Sequence, residues 1–316
     1  ISKSSDPLGD YYAYAFPTAQ FPDYPKYSVW LDAYYVTTNE DLPAVYALER
    51  SKMLTGATAR MIRRTAPRLP NLGFQTLTPV DFDGAAPVAE SPGYFIRQRD
   101  TETQGPANNP TQDFLEMFAF EVDWAAPSTS SLDKIATIPI AEFSQDLCGL
   151  DSFSCFQQPD TLVGLDPLRE VVMWRAQYRN FGTYETLVGN FVTDVDGADH
   201  GGVRWFELRR TGASAWSLFQ EGTLAPDANN RWMGSIAMDA AGNIALGYNL
   251  VSPLVYPSLR VAGRLAGDPL GTLPLGEVDI ADGWKSGTSV RYGDYNSMNV
   301  DPVDGCTLWF TGEYNA

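Results

Sequence analysis

Three arginines, Arg169, Arg231 and Arg291, stand at the start of strand-like runs of related pattern. Planar guanidinium groups converging from equivalent positions would hold a carboxylate through paired hydrogen bonds. The same arginines can instead pair with neighbours such as Glu170 or Asp294 and tie off strand ends, an arrangement worth little. A second constellation is Asp194-Val195-Asp196-Gly197-Ala198-Asp199-His200, where Asp194, Asp196 and Asp199 alternate around a glycine turn. Calcium is the cation such oxygen ligands suit, although the spacing is not that of an EF-hand; a plain turn with solvated acids is the alternative. His200 is the single histidine, which argues against a histidine-built zinc or copper centre and against a Ser-His-Asp hydrolase. No Gly-x-Gly-x-x-Gly or P-loop run occurs, so no nucleotide cofactor is expected. Cys148 and Cys155 enclose six residues and are expected to close as a disulfide, with a metal site as the weaker alternative. Cys306 is left as a buried thiol or as the partner of a cysteine elsewhere.

The elements that must position these residues read as strands. Among the acids are 26 Asp against 13 Glu, and among the bases 17 Arg against 5 Lys, a bias away from helix formers and toward turn residues. Aromatic residues at 13% suit pleated, half-buried surfaces, and 27 Gly with 22 Pro supply corners. The one helix-like stretch, Leu42 to Leu54, can also alternate as a strand. Two repeats organise the rest. Arg231 to Tyr248 and Arg291 to Phe310 each read as strand, Asp/Gly turn and strand, with Ser235 and Ser297 separated by 62 residues. Weaker copies lie at Lys26 to Thr37, at Phe74 to Gly84 and at Arg169 to Val192. Val45 to Arg50, Phe118 to Glu121, Val203 to Arg209 and Leu259 to Arg264 end in charge and read as outer edge strands. The spacing predicts an all-β protein, a β-propeller of five or six four-stranded blades, with residues 1–316 as a single domain. Strand-like Asp10 to Phe16 either completes the last blade and closes a ring of five or belongs to a six-bladed ring.

The net charge of −17 argues against nucleic acid and anionic membrane as partners, and no apolar run is long enough to insert into a membrane. Ile1-Ser2-Lys3-Ser4-Ser5-Asp6 reads as the interior of a longer polypeptide. With the expected disulfide, this points to a secreted or cell-surface chain.

The turns at Asp239-Ala240-Ala241-Gly242 and Asp304-Gly305-Cys306-Thr307-Leu308-Trp309 resemble relaxed Asp-boxes of sialidase-like propellers. Tyr24 to Tyr35, Val195 to His200 and Val203 to Arg209 resemble a family of uncharacterised secreted bacterial propeller proteins. The resemblance implies export and fold and brings no established activity. A sialidase-like site would use a tyrosine assisted by a glutamate, with an aspartic acid; Tyr184-Glu185 and Tyr292-Gly293-Asp294-Tyr295 offer those residue types. The first expectation is therefore a module that binds a glycan or an extracellular protein partner. The alternative is a sialidase-like glycoside hydrolase or lyase acting on extracellular polysaccharide. A hydrolase would gather Arg169, Arg231 and Arg291 with at least two acids around one pocket; a binding module would show exposed aromatics without a matched acid pair.

Overall fold

The alternation of apolar and polar residues is realised as strands almost throughout. The computed structural model describes residues 1–105 and 111–316. The first antiparallel sheet contains β1 (Asp23–Val29), β2 (Tyr34–Asn39), β3 (Ala44–Leu48) and β4 (Met61–Thr65) in sequence order. The second meander contains β5 (Thr78–Asp83), β6 (Gly93–Arg99), β7 (Gln112–Glu121) and β8 (Ser131–Ala141). The third contains β9 (Ala176–Asn180), β10 (Glu185–Asp194), β11 (Gly201–Arg210) and β12 (Ser217–Leu224). Their first strands, β5 and β9, pair in parallel from Val80 with Ala176 to Asp83 with Arg179, which fuses the two meanders into one eight-stranded sheet. A further sheet follows, with β13 (Asn230–Met238), β14 (Ile244–Ser252), β15 (Val255–Arg264) and β16 (Glu277–Ala281). The hairpin β17 (Ser297–Val300) and β18 (Leu308–Thr311) ends the series.

Neighbouring meanders meet through their first strands: β1 lies against β5, β13 against β9 and β10, and β17 against β13. This is the plan of a β-propeller, in which each sheet is a blade and the first strands face the axis. At the head of β1, Tyr24 Oη donates to the Asp294 carbonyl (3.1 Å), and its ring lies 5.3 Å from that of Tyr295. The head of β1 therefore meets the turn before β17.

Packing between sheets uses the aromatic residues. Trp30 meets Phe82, Tyr94 and Tyr178 edge-on at 5.3 to 5.9 Å, and Trp30, Trp205 and Trp232 are fully buried. Truncating a buried ring of this size costs roughly 3–5 kcal/mol. β10 is buried along its whole length because sheets cover both of its faces, whereas β16 is an exposed outer strand.

Three expectations change. The four charge-tipped segments do occupy equivalent places, in or at the ends of β3, β7, β11 and β15, but each is a third strand paired on both sides. In two of them the charges are met by neighbours: buried Glu207 accepts from Arg209 Nε and from Gln220 Nε2, and Arg260 pairs with Asp279 and Asp282, whereas Glu121 at the end of β7 is exposed. Leu42 to Leu54 divides into β3 and a single helical turn, Arg50–Met53. Asp10 to Phe16 is not paired with β17 or β18 among the described residues. It runs over the first sheet, where Tyr12 packs at Gly56 and Tyr14 Oη donates to the carbonyls of Met53 and Ala57 (both 3.2 Å).

The two Asp turns satisfy their own backbone. Asp239 Oδ1 accepts from the N–H groups of Ala241 and Asn243 (2.8 and 2.9 Å), and Asp304 Oδ1 from those of Cys306 and Thr307 (both 2.9 Å). The turns also meet each other, Ala240 N–H donating to the Gly305 carbonyl (2.8 Å). Cys306 sits exposed in the second turn as a free thiol rather than buried.

Candidate active site

Four segments converge at the heads of the first strands: the start of β1, the loop before β9, the start of β13 and the turn before β17. The loop before β9 reads Leu165-Asp166-Pro167-Leu168-Arg169-Glu170. Asp166 Oδ1 accepts the Leu168 N–H (2.8 Å), which closes a tight turn and places Arg169 and Glu170 next to each other in the interior. Tyr24, Leu168 and Met233, none of them glycine, take left-handed backbone conformations here (φ 50°, 49° and 51°). Strained backbone gathered in one place is a mark of functional sites.

Arg291 joins the two sides. Its guanidinium bonds to Asp294, and its Nε lies 4.0 Å from Asp166 Oδ2. Glu170 Oε1 is 3.5 Å from Arg169 Nη2. Burial pushes the Glu170 carboxyl up to about 7; Arg169 opposes the shift and Asp166 adds to it. Burial likewise raises Asp166. Tyr24 is held as a neutral phenol, raised well above the usual tyrosine range by burial first and the Asp294 charge second. Its role is a donor to backbone rather than a nucleophile.

A hollow of about 480 Å³ opens beside these groups, lined by Arg291 to Asn296 and Thr311 to Glu313. That lies within the ~300–1,000 Å³ span of small-molecule sites. Its wall is fixed by a side-chain chain: Asn296 Nδ2 donates to Asn249 Oδ1 (2.6 Å) and to the Met233 carbonyl (2.8 Å), while Asn249 Nδ2 donates to the Glu313 carbonyl (2.9 Å). Glu313 Oε2 accepts the Gly293 N–H (3.0 Å). Tyr295 stands at the rim, 59% exposed.

Of the residues singled out in the sequence, Arg169, Arg291, Tyr292, Asp294 and Tyr295 come together here; Arg231, Tyr184 and Glu185 do not. Arg231 is fully buried within its own sheet, held by Asp227 (2.8 Å) and Glu277 (2.7 Å), and Glu277 also accepts from Tyr248 Oη (2.6 Å). Glu185 serves the third sheet in the same way, bonded to Tyr178 and Arg210. Tyr184 stacks on Phe181 at 4.9 Å with the Arg209 guanidinium 4.7 Å from its ring. Tyr292 is buried, and its phenol is raised chiefly by that burial. Asp166 and Tyr24 were missed as site residues, and Glu170 was named only as an ion-pair neighbour of Arg169, a pairing the structure shows alongside that of Arg291 with Asp294. The acids flanking Arg169 in a proline-bearing turn were their visible signal.

Asp194, Asp196 and Asp199 direct their oxygens to N–H donors. Asp194 accepts from Asp196, Gly197 and Asp199, Asp196 from Ala198, and Asp199 from Cys148. Among the described residues, the acidic trio whose oxygens all lie within 4.8 Å of one another is a different one, Asp100, Glu102 and Asp113. Backbone N–H groups already occupy both Asp100 and Asp113: Asp100 takes Thr103 and Gln145, and Asp113 takes Thr101 and Phe143. The Cys148–Cys155 disulfide is formed.

No family model matches the chain, and no curated protein matches it. Among solved structures it is similar to an alpha-L-arabinanase of Penicillium chrysogenum complexed with arabinobiose, at 12% identity and a TM-score of 0.49, covering 93% of this chain and 77% of that one. It is also similar to an alpha-L-arabinofuranosidase from Fusarium graminearum in complex with an iminosugar inhibitor, at 13% identity and a TM-score of 0.42, covering 93% of each chain. A subtype N10 neuraminidase-like protein of A/little yellow-shouldered bat/Guatemala gives 8% identity and a TM-score of 0.35 over 78% of this chain and 56% of that one. No helix of the described residues is long and apolar enough to cross a membrane.

Proposed function

We propose that this chain is an extracellular glycoside hydrolase whose active site is the cluster of Asp166, Glu170, Arg291 and Asp294. The observation that carries the reading is a pair of carboxyls, Glu170 and Asp294, that both lie in the field of the Arg291 guanidinium. Glu170 is buried and titrates at about 7, so near neutral pH it retains a proton to give to a leaving oxygen. Asp294 is held by the Arg291 guanidinium and lines the hollow, where its carboxyl group is placed to act as base or nucleophile. A sialidase-like tyrosine mechanism is less well supported, because Tyr24 and Tyr292 are buried phenols with raised pKa and Tyr184 lies elsewhere. A binding module calls for exposed aromatics without such a pair; Tyr295 supplies the aromatic, but the acids are present as well.

The fold reading that goes with this is a ring of five blades, with β17 and β18 as the last blade and Tyr24 as the contact between last and first. The disulfide supports export to an oxidising compartment. The test is a panel of neutral and sialylated oligosaccharides, with products and retained ligand both read by mass spectrometry. Products from the wild type, lost in Glu170→Gln and in Asp294→Asn, are expected. Glycan retained without products by all three chains would return the site to binding alone.

A further inference from the structure

The segment Cys148 to Cys155 lies earlier in the same β8–β9 connection as the proposed acid, and it grips the residue beside it. Arg169 is fully buried, and its two terminal nitrogens donate to loop carbonyls: Nη1 to Ser152 (2.9 Å) and Nη2 to Leu150 (2.8 Å). Its guanidinium carbon lies 5.1 Å from the centre of the Phe153 ring, so the loop surrounds the charge with two carbonyls and an aromatic ring. The loop is held in turn. The disulfide joins its ends, Cys148 and Leu150 take left-handed conformations (φ 57° and 61°), and the Cys148 N–H donates to Asp199 Oδ1 (2.5 Å) in the turn after β10. On the other side, Gln98 Nε2 of β6 donates to the Arg169 carbonyl (3.2 Å), and Lys26 Nζ of β1 donates to the Val172 carbonyl (2.6 Å).

A free guanidinium next to a buried carboxylate closes into a forked pair near 2.8 Å. Here the pair stops at 3.5 Å, and Arg169 Nε and Glu170 Oε2 are both buried without a hydrogen-bond partner. We propose that the disulfide-closed loop positions Arg169, and through it the Glu170 carboxyl, by engaging the guanidinium before it can fork onto the acid. Arg169 is thus a positioning residue, and the disulfide is part of the site's machinery as well as of the fold. The inference rests on the hydrolase reading for its purpose, and on the contacts of Arg169 for its existence.

The charged groups acting on Glu170 are Arg169 and Asp166 from its own loop and Arg291 from the turn before β17, with Asp294 bonded to the last of these. Releasing the loop frees Arg169 to close on the carboxylate and admits water, and both changes favour the ionised form. The test is a carbon-13 NMR titration of glutamate carboxyls in the folded, substrate-free protein, with the Glu170 signal assigned by its absence in Glu170→Gln. In the wild type the midpoint is expected at about 7. In the doubly substituted Cys148→Ser, Cys155→Ser chain it falls toward the ordinary glutamate value. Phe153→Ala, which leaves the disulfide intact, shifts it in the same direction by less and serves as the test if the double variant does not fold. A midpoint that stays put or rises on loop release overturns the proposal. Because the titration needs no turnover, a chain that cleaves no glycan still tests the clamp. Failure of the clamp, in turn, leaves the hydrolase reading to its own variants.

Discussion

Glu170 retains its proton to about pH 7 because burial removes water from the carboxylate and Arg169, held elsewhere, replaces it only in part. The folded chain therefore binds this proton more tightly than the unfolded chain, whose glutamate titrates near 4.5. The resulting contribution to stability is full below about pH 4.5 and lost as pH rises through about 7, an amount on the order of 3 kcal/mol. Glu170→Gln removes that loss, so urea unfolding should show the variant gaining on the wild type between about pH 4 and about pH 8.5. Identical pH dependence in the two chains would count against a raised Glu170. Arg231 makes the opposite case. Its charge is used up inside its own sheet by Asp227 and Glu277, so Arg231→Ala should cost about 2–4 kcal/mol in urea unfolding and leave turnover per folded molecule unchanged. In the sequence, Arg169, Arg231 and Arg291 look alike, each an arginine opening a strand-like run. What separates them is which acids lie across the gap, and that is decided by residues such as Glu277 that lie 46 positions away.

The turn before β17 shows how an element supports those residues. Gly293 has φ 73°, and a Cβ there would lie 2.6 Å from Asn249 Oδ1, in the network that fixes the wall of the hollow. Gly293→Ala should lower stability by roughly 1–2 kcal/mol and reduce turnover more than that loss explains, because the turn carries both Arg291 and Asp294. Chemical unfolding read beside hydrolysis rates checks this, and full activity in the variant would detach the turn from the site. Elements of this kind were partly legible. The 62-residue step from Ser235 to Ser297 matches equivalent first strands, and the two strands meet across the blades, Ser235 Oγ accepting the Met298 N–H (2.9 Å). Strand position within a blade was not legible. The charges ending Val203 to Arg209 look the same whether water or a neighbouring side chain meets them; here Arg209 and Glu207 pair with each other along the strand, and Gln220 of β12 donates to Glu207. The course of Asp10 to Phe16 was hidden for a similar reason, since its alternating tyrosines suit either a strand pairing or a strap over the first sheet.

At the scale of the whole molecule, 39 acidic residues against 22 basic ones leave a surface that repels itself. Salt screens that repulsion over about 10 Å at about 0.1 M, so the thermal midpoint near neutral pH should rise between about 0.01 M and about 0.15 M sodium chloride. A fall would mean that surface ion pairs outweigh the repulsion. The propeller plan was legible as a whole because five units of similar pattern recur along the chain, while the axial cluster was not, since it draws on the heads of strands far apart in sequence and only folding brings them together. The central claim is that this cluster protonates a glycosidic oxygen through Glu170, and the pH profile of glycan hydrolysis tests it most directly. The expected result is a kcat/KM that falls above about pH 7 as Glu170 loses its proton, with no turnover in Glu170→Gln at any pH. A rate that holds or climbs through that range, or that survives in Glu170→Gln, would contradict it.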